Sequence, residues 1–139
     1  MLIYTLGIFK KDSDLLFLLR QNTPFFSGHY GLPGGKVDPH ESPAHALIRE
    51  MHEELGITIT QKNLQFAHCL AFKSETNTEI VALIFNIIDW QGELTNKEPN
   101  KCTELAWFSP EKLPENVIPR HRHIVEMIQN GSLYSENGW

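Results

Sequence analysis

The stretch that decides the fold is Gly35-Lys36-Val37-Asp38-Pro39-His40-Glu41, followed after seven residues by Arg49-Glu50-Met51-His52-Glu53-Glu54-Leu55-Gly56-Ile57. Between the two halves, Ser42 and Pro43 open a helix. Serine is a favoured N-cap, and proline is tolerated at the first helical position because its missing N–H has no intrahelical partner there. Gly56 supplies the stop. Ala44, Leu47, Ile48, Met51 and Leu55 recur at helical spacing and predict one buried stripe. At about 100° per residue, Glu50, Glu53 and Glu54 fall together on an adjacent face.

Like charges three and four residues apart destabilise a helix by a few tenths of a kcal/mol each, on the order of 0.2–0.5. Such a face therefore calls for solvent or a cation, and a solvated acidic surface satisfies it as well as a metal does. The Gly34-Gly35 turn ahead of the helix adds a second feature. Consecutive glycines allow close backbone approach, so a carbonyl can be presented to the point the carboxylates approach. Mg²⁺ takes oxygen ligands in octahedral geometry and keeps waters that phosphate oxygens can replace. A partial cage of carboxylates and one carbonyl meets that requirement.

The rest of the chain bounds what such a site serves. At 139 residues the chain is the length of one ordinary domain, and a single domain over 1–139 is expected. With 41% apolar and 21% charged residues and no run of about 20 apolar residues, no membrane span is expected. Residues 2–9 lack the basic flank and cleavage site of a secretory signal, so the expected location is cytoplasmic. Cys69 and Cys102 lie in no Cys-x-x-Cys pair and read as buried, reduced thiols. A net charge of -5 opposes binding to a nucleic-acid polymer, which draws on clustered Lys and Arg. An acidic protein that handles phosphates must bring in positive charge, and a divalent metal is the usual source.

Apolar, β-compatible runs at 2–10 and 15–21, joined by Lys11-Asp12-Ser13-Asp14, predict a first pair of strands. Residues 22–30 read as a loop carrying Phe25, Phe26, His29 and Tyr30. Two longer strands are expected at 64–73 and 78–89, a shorter one at 105–108 after a polar loop at 91–104, and a final amphipathic helix at 119–130. The mixture indicates an α/β sandwich.

Position for position, the decisive stretch resembles the Nudix box of the Nudix hydrolases: Gly35, five residues, Glu41, seven residues, Arg49-Glu50, apolar Met51, one residue, Glu53-Glu54, one residue, Gly56, apolar Ile57. The box spans 35–57. Leu32-Pro33-Gly34 before it, and Glu98-Pro99-Asn100-Lys101-Cys102, Trp107-Phe108 and Leu113-Pro114 beyond it, extend the likeness over roughly the whole chain. The resemblance implies a Nudix-type α/β/α sandwich with a mixed β-sheet and a loop-helix-loop catalytic motif. It also implies a Mg²⁺- or Mn²⁺-dependent hydrolase of nucleoside diphosphates linked to another group. Carried across, Glu53 and Glu54 are metal ligands, Glu50 is a ligand or base, and the Gly34 carbonyl is a further ligand. Arg49 then orients the glutamates and Glu41 buttresses the loop. The chemistry agrees, since metals neutralise phosphate oxygens and acidify water while a carboxylate takes its proton.

The proline and tyrosine markers that ADP-ribose and dinucleoside-polyphosphate hydrolases of this family typically carry after the box are not found between Thr58 and Asn77. The resemblance therefore favours a MutT-like enzyme that splits a nucleoside triphosphate into monophosphate and pyrophosphate. Phe108-Ser109-Pro110 follows Trp107 where sanitisers of oxidised purines often carry acids, so a preference for 8-oxo-guanine is not implied. A nucleotide-sensing module and a hydrolase of other derivatives, such as nucleotide sugars, are the alternatives. Glu98 is expected as an additional catalytic carboxylate reaching the metal from the side opposite the helix, with Glu93 and Glu104 as rivals. Arg20 is a candidate phosphate contact, and Phe26 and Trp107 are candidate contacts to a nucleobase. His45, His52, His121 and His123 read as solvated surface residues. The expected partner is a small nucleotide, and a homodimer is compatible with the sequence.

Overall fold

The computed structural model describes residues 1–139. In chain order it contains β1 (Leu2–Ile8), β2 (Lys10–Lys11), β3 (Asp14–Arg20), β4 (Tyr30–Gly31), β5 (Gly34–Lys36), α1 (Pro43–Leu55), β6 (Leu64–Lys73), β7 (Glu79–Ile87), β8 (Cys102–Phe108), α2 (Pro119–Gln129) and β9 (Tyr134–Asn137). One sheet has the order β5-β1-β7-β6-β9, with β1 parallel to β7 and β6 parallel to β9. In the other sheet β3 is the hub, pairing antiparallel with β2, β4 and β8. Two helices on a mixed sheet make the α/β sandwich that the sequence implies.

Strand periodicity explains why both faces of β3 are apolar. Successive side chains point to opposite faces. Leu15 and Phe17 therefore enter one core cluster with Leu70 and Ile84 of the first sheet and Ile124 and Val125 of α2. Leu16 and Leu18 enter a second cluster with Leu47, Met51 and Leu55 of α1 and Ile57 beyond it. Each helix thus seals one cluster.

The limits of α1 are set locally. The Ser42 hydroxyl accepts the His45 N–H at 3.1 Å, and Gly56 takes the left-handed conformation at φ 69°. Its buried stripe is Ala46, Leu47, Met51 and Leu55. Ala46 takes the place expected for Ala44, which is only partly covered.

Four expectations are corrected. The first apolar run ends at Ile8, and Lys10–Lys11 joins the other sheet through a turn at Asp12, φ 59°. The strand expected at 105–108 begins at Cys102, where pairing with Arg20 extends it into polar residues. Cys69 is only partly buried, whereas Cys102 is buried; both thiols are free. His121 is not a solvated side chain. Its ring packs against Gly31, and Nδ1 accepts the Leu32 N–H at 2.8 Å. No helix is long and apolar enough to cross a membrane.

Candidate active site

The turn before α1 and the carboxylates on α1 meet because β5 is an edge strand on β1, with Gly34 opposite Leu6 and Gly35 opposite Thr5. This pairing lays Gly34 beside the last turn of the helix. Its N–H donates to Glu54, 3.2 Å from Oε1 and 3.4 Å from Oε2. Gly35 leaves the space that Glu50 fills, for a Cβ there would fall 2.6 Å from the Glu50 carboxyl carbon.

Arg49 organises the outer side. Its guanidinium grips Glu41 with two nitrogens, Nε to Oε2 at 3.1 Å and Nη2 to Oε1 at 2.6 Å. Nη1 reaches Glu50 at 3.0 Å and Glu53 at 3.3 Å, while Nη2 also reaches the Lys36 carbonyl at 3.3 Å. Only a planar fork with several donors serves so many acceptors at once. Glu41 in turn accepts the Asp38 N–H at 2.8 Å, which ties the loop to the helix.

The three helix carboxylates therefore occupy different surroundings. Burial raises Glu54 well above the usual carboxyl range, and the neighbouring charges of Glu50 and Glu98 add to it against the lowering effect of the Gly34 N–H. Burial also raises Glu50, opposed chiefly by Arg49. Glu53 is exposed and turned to Arg49. Glu41 is held at about 2, first by its hydrogen bonds from Arg49 and then by the Asp38 N–H.

Glu50 and Glu54 open into a cavity of about 310 Å³ whose other walls include Glu98, Arg20, Lys101 and Gly34. Of the sequence-derived candidates, the structure thus gathers Gly34, Glu50, Glu54, Glu98 and Arg20 in one cavity. Arg49 and Glu53 are not among its walls and connect to it through the Arg49 bond to Glu50. Phe26 and Trp107 lie elsewhere. Phe26 lines a smaller separate cavity with Arg120 and His123 and meets His29 edge-on at 5.4 Å. Trp107 packs on the α1 core cluster beneath Lys11. Of the rivals to Glu98, Glu93 is exposed away from the cavity and Glu104 is engaged by the Tyr30 hydroxyl. His45 and His52 are exposed.

Sequence reasoning missed Lys101. It enters the sequence reading only within the Glu98-to-Cys102 likeness, with no role, because the pairing of β8 with β3, with Gln21 N–H bonded to the Lys101 carbonyl at 2.9 Å, is what brings it to Arg20.

The donor set suits a hard divalent cation. It consists of carboxylate oxygens, and the cation paired with them, Arg49, is already shared among Asp38, Glu41, Glu50 and Glu53. No three His, Cys, Asp or Glu side chains close around one point as they stand.

Comparison with known proteins gives the family. The NUDIX domain family model matches residues 2–128, and the chain belongs to that family. It is a hydrolase that acts on phosphoric anhydrides. The 8-oxo-dGTP diphosphatase of Proteus vulgaris is 32% identical over 88 residues, 63% of this chain and 76% of its own. The ADP-ribose pyrophosphatase of Methanocaldococcus jannaschii is 30% identical over 123 residues, 88% of this chain and 70% of its own. The crystal structure of a MutT NUDIX hydrolase from Burkholderia pseudomallei superposes with a TM-score of 0.80 at 28% identity, covering 89% of this chain and 95% of that one.

Proposed function

We propose that this enzyme hydrolyses a nucleoside triphosphate to the monophosphate and pyrophosphate, with Mg²⁺ or Mn²⁺ as cofactor. One observation carries the proposal: a single cavity has Glu50, Glu54 and Glu98 among its walls together with the cations Arg20 and Lys101. Anionic oxygens suit a metal, and the two cations suit a phosphate chain.

Glu54 and Glu50 offer the central oxygen ligands, with Glu53 and the Gly34 carbonyl completing the set. A divalent ion held there supplies positive charge to the phosphate oxygens and lowers the pKa of a water. Arg20 and Lys101 bind and orient the polyphosphate, which turns part of the entropic barrier into binding energy. Glu98 accepts the proton of the attacking water. Water adds to phosphorus as the bond to the leaving pyrophosphate breaks. Arg49 touches no substrate in this scheme and keeps Glu50 and Glu53 in register.

The test is product identification by chromatography, with and without chelator, on nucleoside triphosphates, ADP-ribose and nucleotide sugars. Monophosphate and pyrophosphate formed only with Mg²⁺ or Mn²⁺ support the proposal. Glu53→Gln and Glu54→Gln should each lose at least about 100-fold in kcat, since metal stabilisation of charge is worth several kcal/mol. Orthophosphate with nucleoside diphosphate, or turnover confined to ADP-ribose or nucleotide sugars, would reject it.

A further inference from the structure

Glu98 lies on a long connection, residues 88–101, and such a segment does not by itself hold a carboxylate still. Two backbone bonds fasten it to the end of α1. The Thr95 N–H donates to the Leu55 carbonyl at 3.1 Å, and the Lys97 N–H donates to the Glu54 carbonyl at 3.0 Å. A helix leaves its last carbonyls without intrahelical partners, so the loop satisfies them. It is thereby locked to the same residue, Glu54, whose side chain faces the cavity.

Asn96 sits between these two anchors and uses both ends of its amide. Its Nδ2 donates to the Cys102 carbonyl at 2.7 Å, and its Oδ1 accepts the Glu98 N–H at 3.1 Å. The Glu98 carbonyl accepts the N–H groups of Lys101 and Cys102, each at 2.9 Å. Every backbone polar group of Glu98 is therefore engaged, and the turn is closed onto the first residue of β8. Gln21 and Asn22 bond the carbonyls of Pro99 and Asn100 from the far side. Those bonds are exposed and water can replace them. The Asn96 bonds are partly buried, and only an amide supplies a donor and an acceptor at that spacing.

We propose that Asn96 is a positioning residue that fixes the Glu98 carboxylate against the cavity. The proposal rests on the reading of Glu98 as the base. Asn96 has no contact with the cavity and acts through Glu98. Its loss frees the loop tip while leaving Arg20, Glu50 and Glu54 in place.

The test is a double-mutant cycle on the full chain with Asn96→Ala, Glu98→Gln and the double variant, reading kcat, KM and melting temperature at saturating Mg²⁺. Asn96→Ala should lower kcat about 10- to 100-fold, the scale of an ångström-level misplacement, with KM changed less than about threefold. In the Glu98→Gln background the same substitution should cost no further kcat, because residues that act through one another are not additive. If Asn96→Ala does not fold, Asn96→Ser, which stays uncharged and is too short to bridge both groups, enters the same cycle. An equal kcat loss in both backgrounds, or parental kcat in the Asn96 variant, overturns the inference while Glu98 stands. Parental kcat in Glu98→Gln overturns the reading of Glu98 and the inference with it.

Discussion

The backbone N–H of Gly34 points at the carboxylate of Glu54, 3.2 Å from Oε1, across twenty residues of sequence. This bond joins the glycine turn to α1, and it requires Gly34 at φ 144°, a conformation that essentially only glycine adopts. The two glycines of the turn therefore do different work. Gly34→Ala would drive a Cβ into the Thr5 carbonyl and to 2.8 Å from Leu6 Cα. It should cost stability, about 1–3 kcal/mol from backbone strain alone, read as a lower melting temperature. Gly35→Ala displaces only the Glu50 carboxylate. It should leave the melting temperature nearly unchanged and lower kcat about 10- to 100-fold. A kcat equal to the parent's in Gly35→Ala would show that the position of Glu50 is not critical.

Arg49→Lys keeps the charge and loses the fork. A single ammonium cannot hold both Glu41 oxygens while also reaching Glu50 and Glu53. The expected result is a fall in kcat of about 100-fold with a smaller change in KM, measured at saturating metal. Activity within twofold of the parent would mean that charge alone suffices.

Glu41 ties acid stability to the same arginine. Its folded pKa, about 2, lies below the ordinary 4.5. A depressed carboxyl contributes stability above its unfolded pKa and loses it as pH falls through the folded value. The melting-temperature gap between the parent and Glu41→Gln should therefore be full at pH 7 and shrink from about pH 4.5 toward 2. A gap independent of pH would show that the Arg49 contact is not ionic.

His121 acts in a higher window. Burial holds it at about 3 against an ordinary 6.5, and the charges of Arg20 and Arg120 push the same way. The unfolded chain binds that proton first, so the contribution is complete above pH 6.5 and is lost as pH falls toward 3. Protonation would also remove the acceptor for the Leu32 N–H. His121→Gln should flatten the dependence of melting temperature on pH between 6.5 and 3. Parallel curves for the two proteins would refute this.

Local chemistry was legible from the residues alone. The Ser42 cap, Pro43 and Gly56 delimit α1 as read, and the strand at 64–73 has the bounds its pattern predicts. Helical spacing put Glu50, Glu53 and Glu54 on one side of α1, and the structure turns Glu50 and Glu54 to the cavity and Glu53 to Arg49. The short strands were not legible. Gly34–Lys36 carries two glycines and Tyr134–Asn137 is polar, so neither has a strand pattern, and each exists because β1 or β6 offers a free edge.

What the sequence by itself determined is the helix, its carboxylate face, the glycine turn and the alternating cores, since each depends on residues within one or two turns or strands. Tertiary structure alone decided which distant groups share the cavity. It brought Arg20 and Lys101 together through the pairing of β3 with β8, and set Glu98 beside Glu54 through the loop bonds to the end of α1. It also sent Trp107 to the core and Phe26 to another cavity. The physical reason is register. A strand's pairing partner and the face each side chain takes follow from hydrogen bonds between segments far apart in the chain, and no local propensity encodes them.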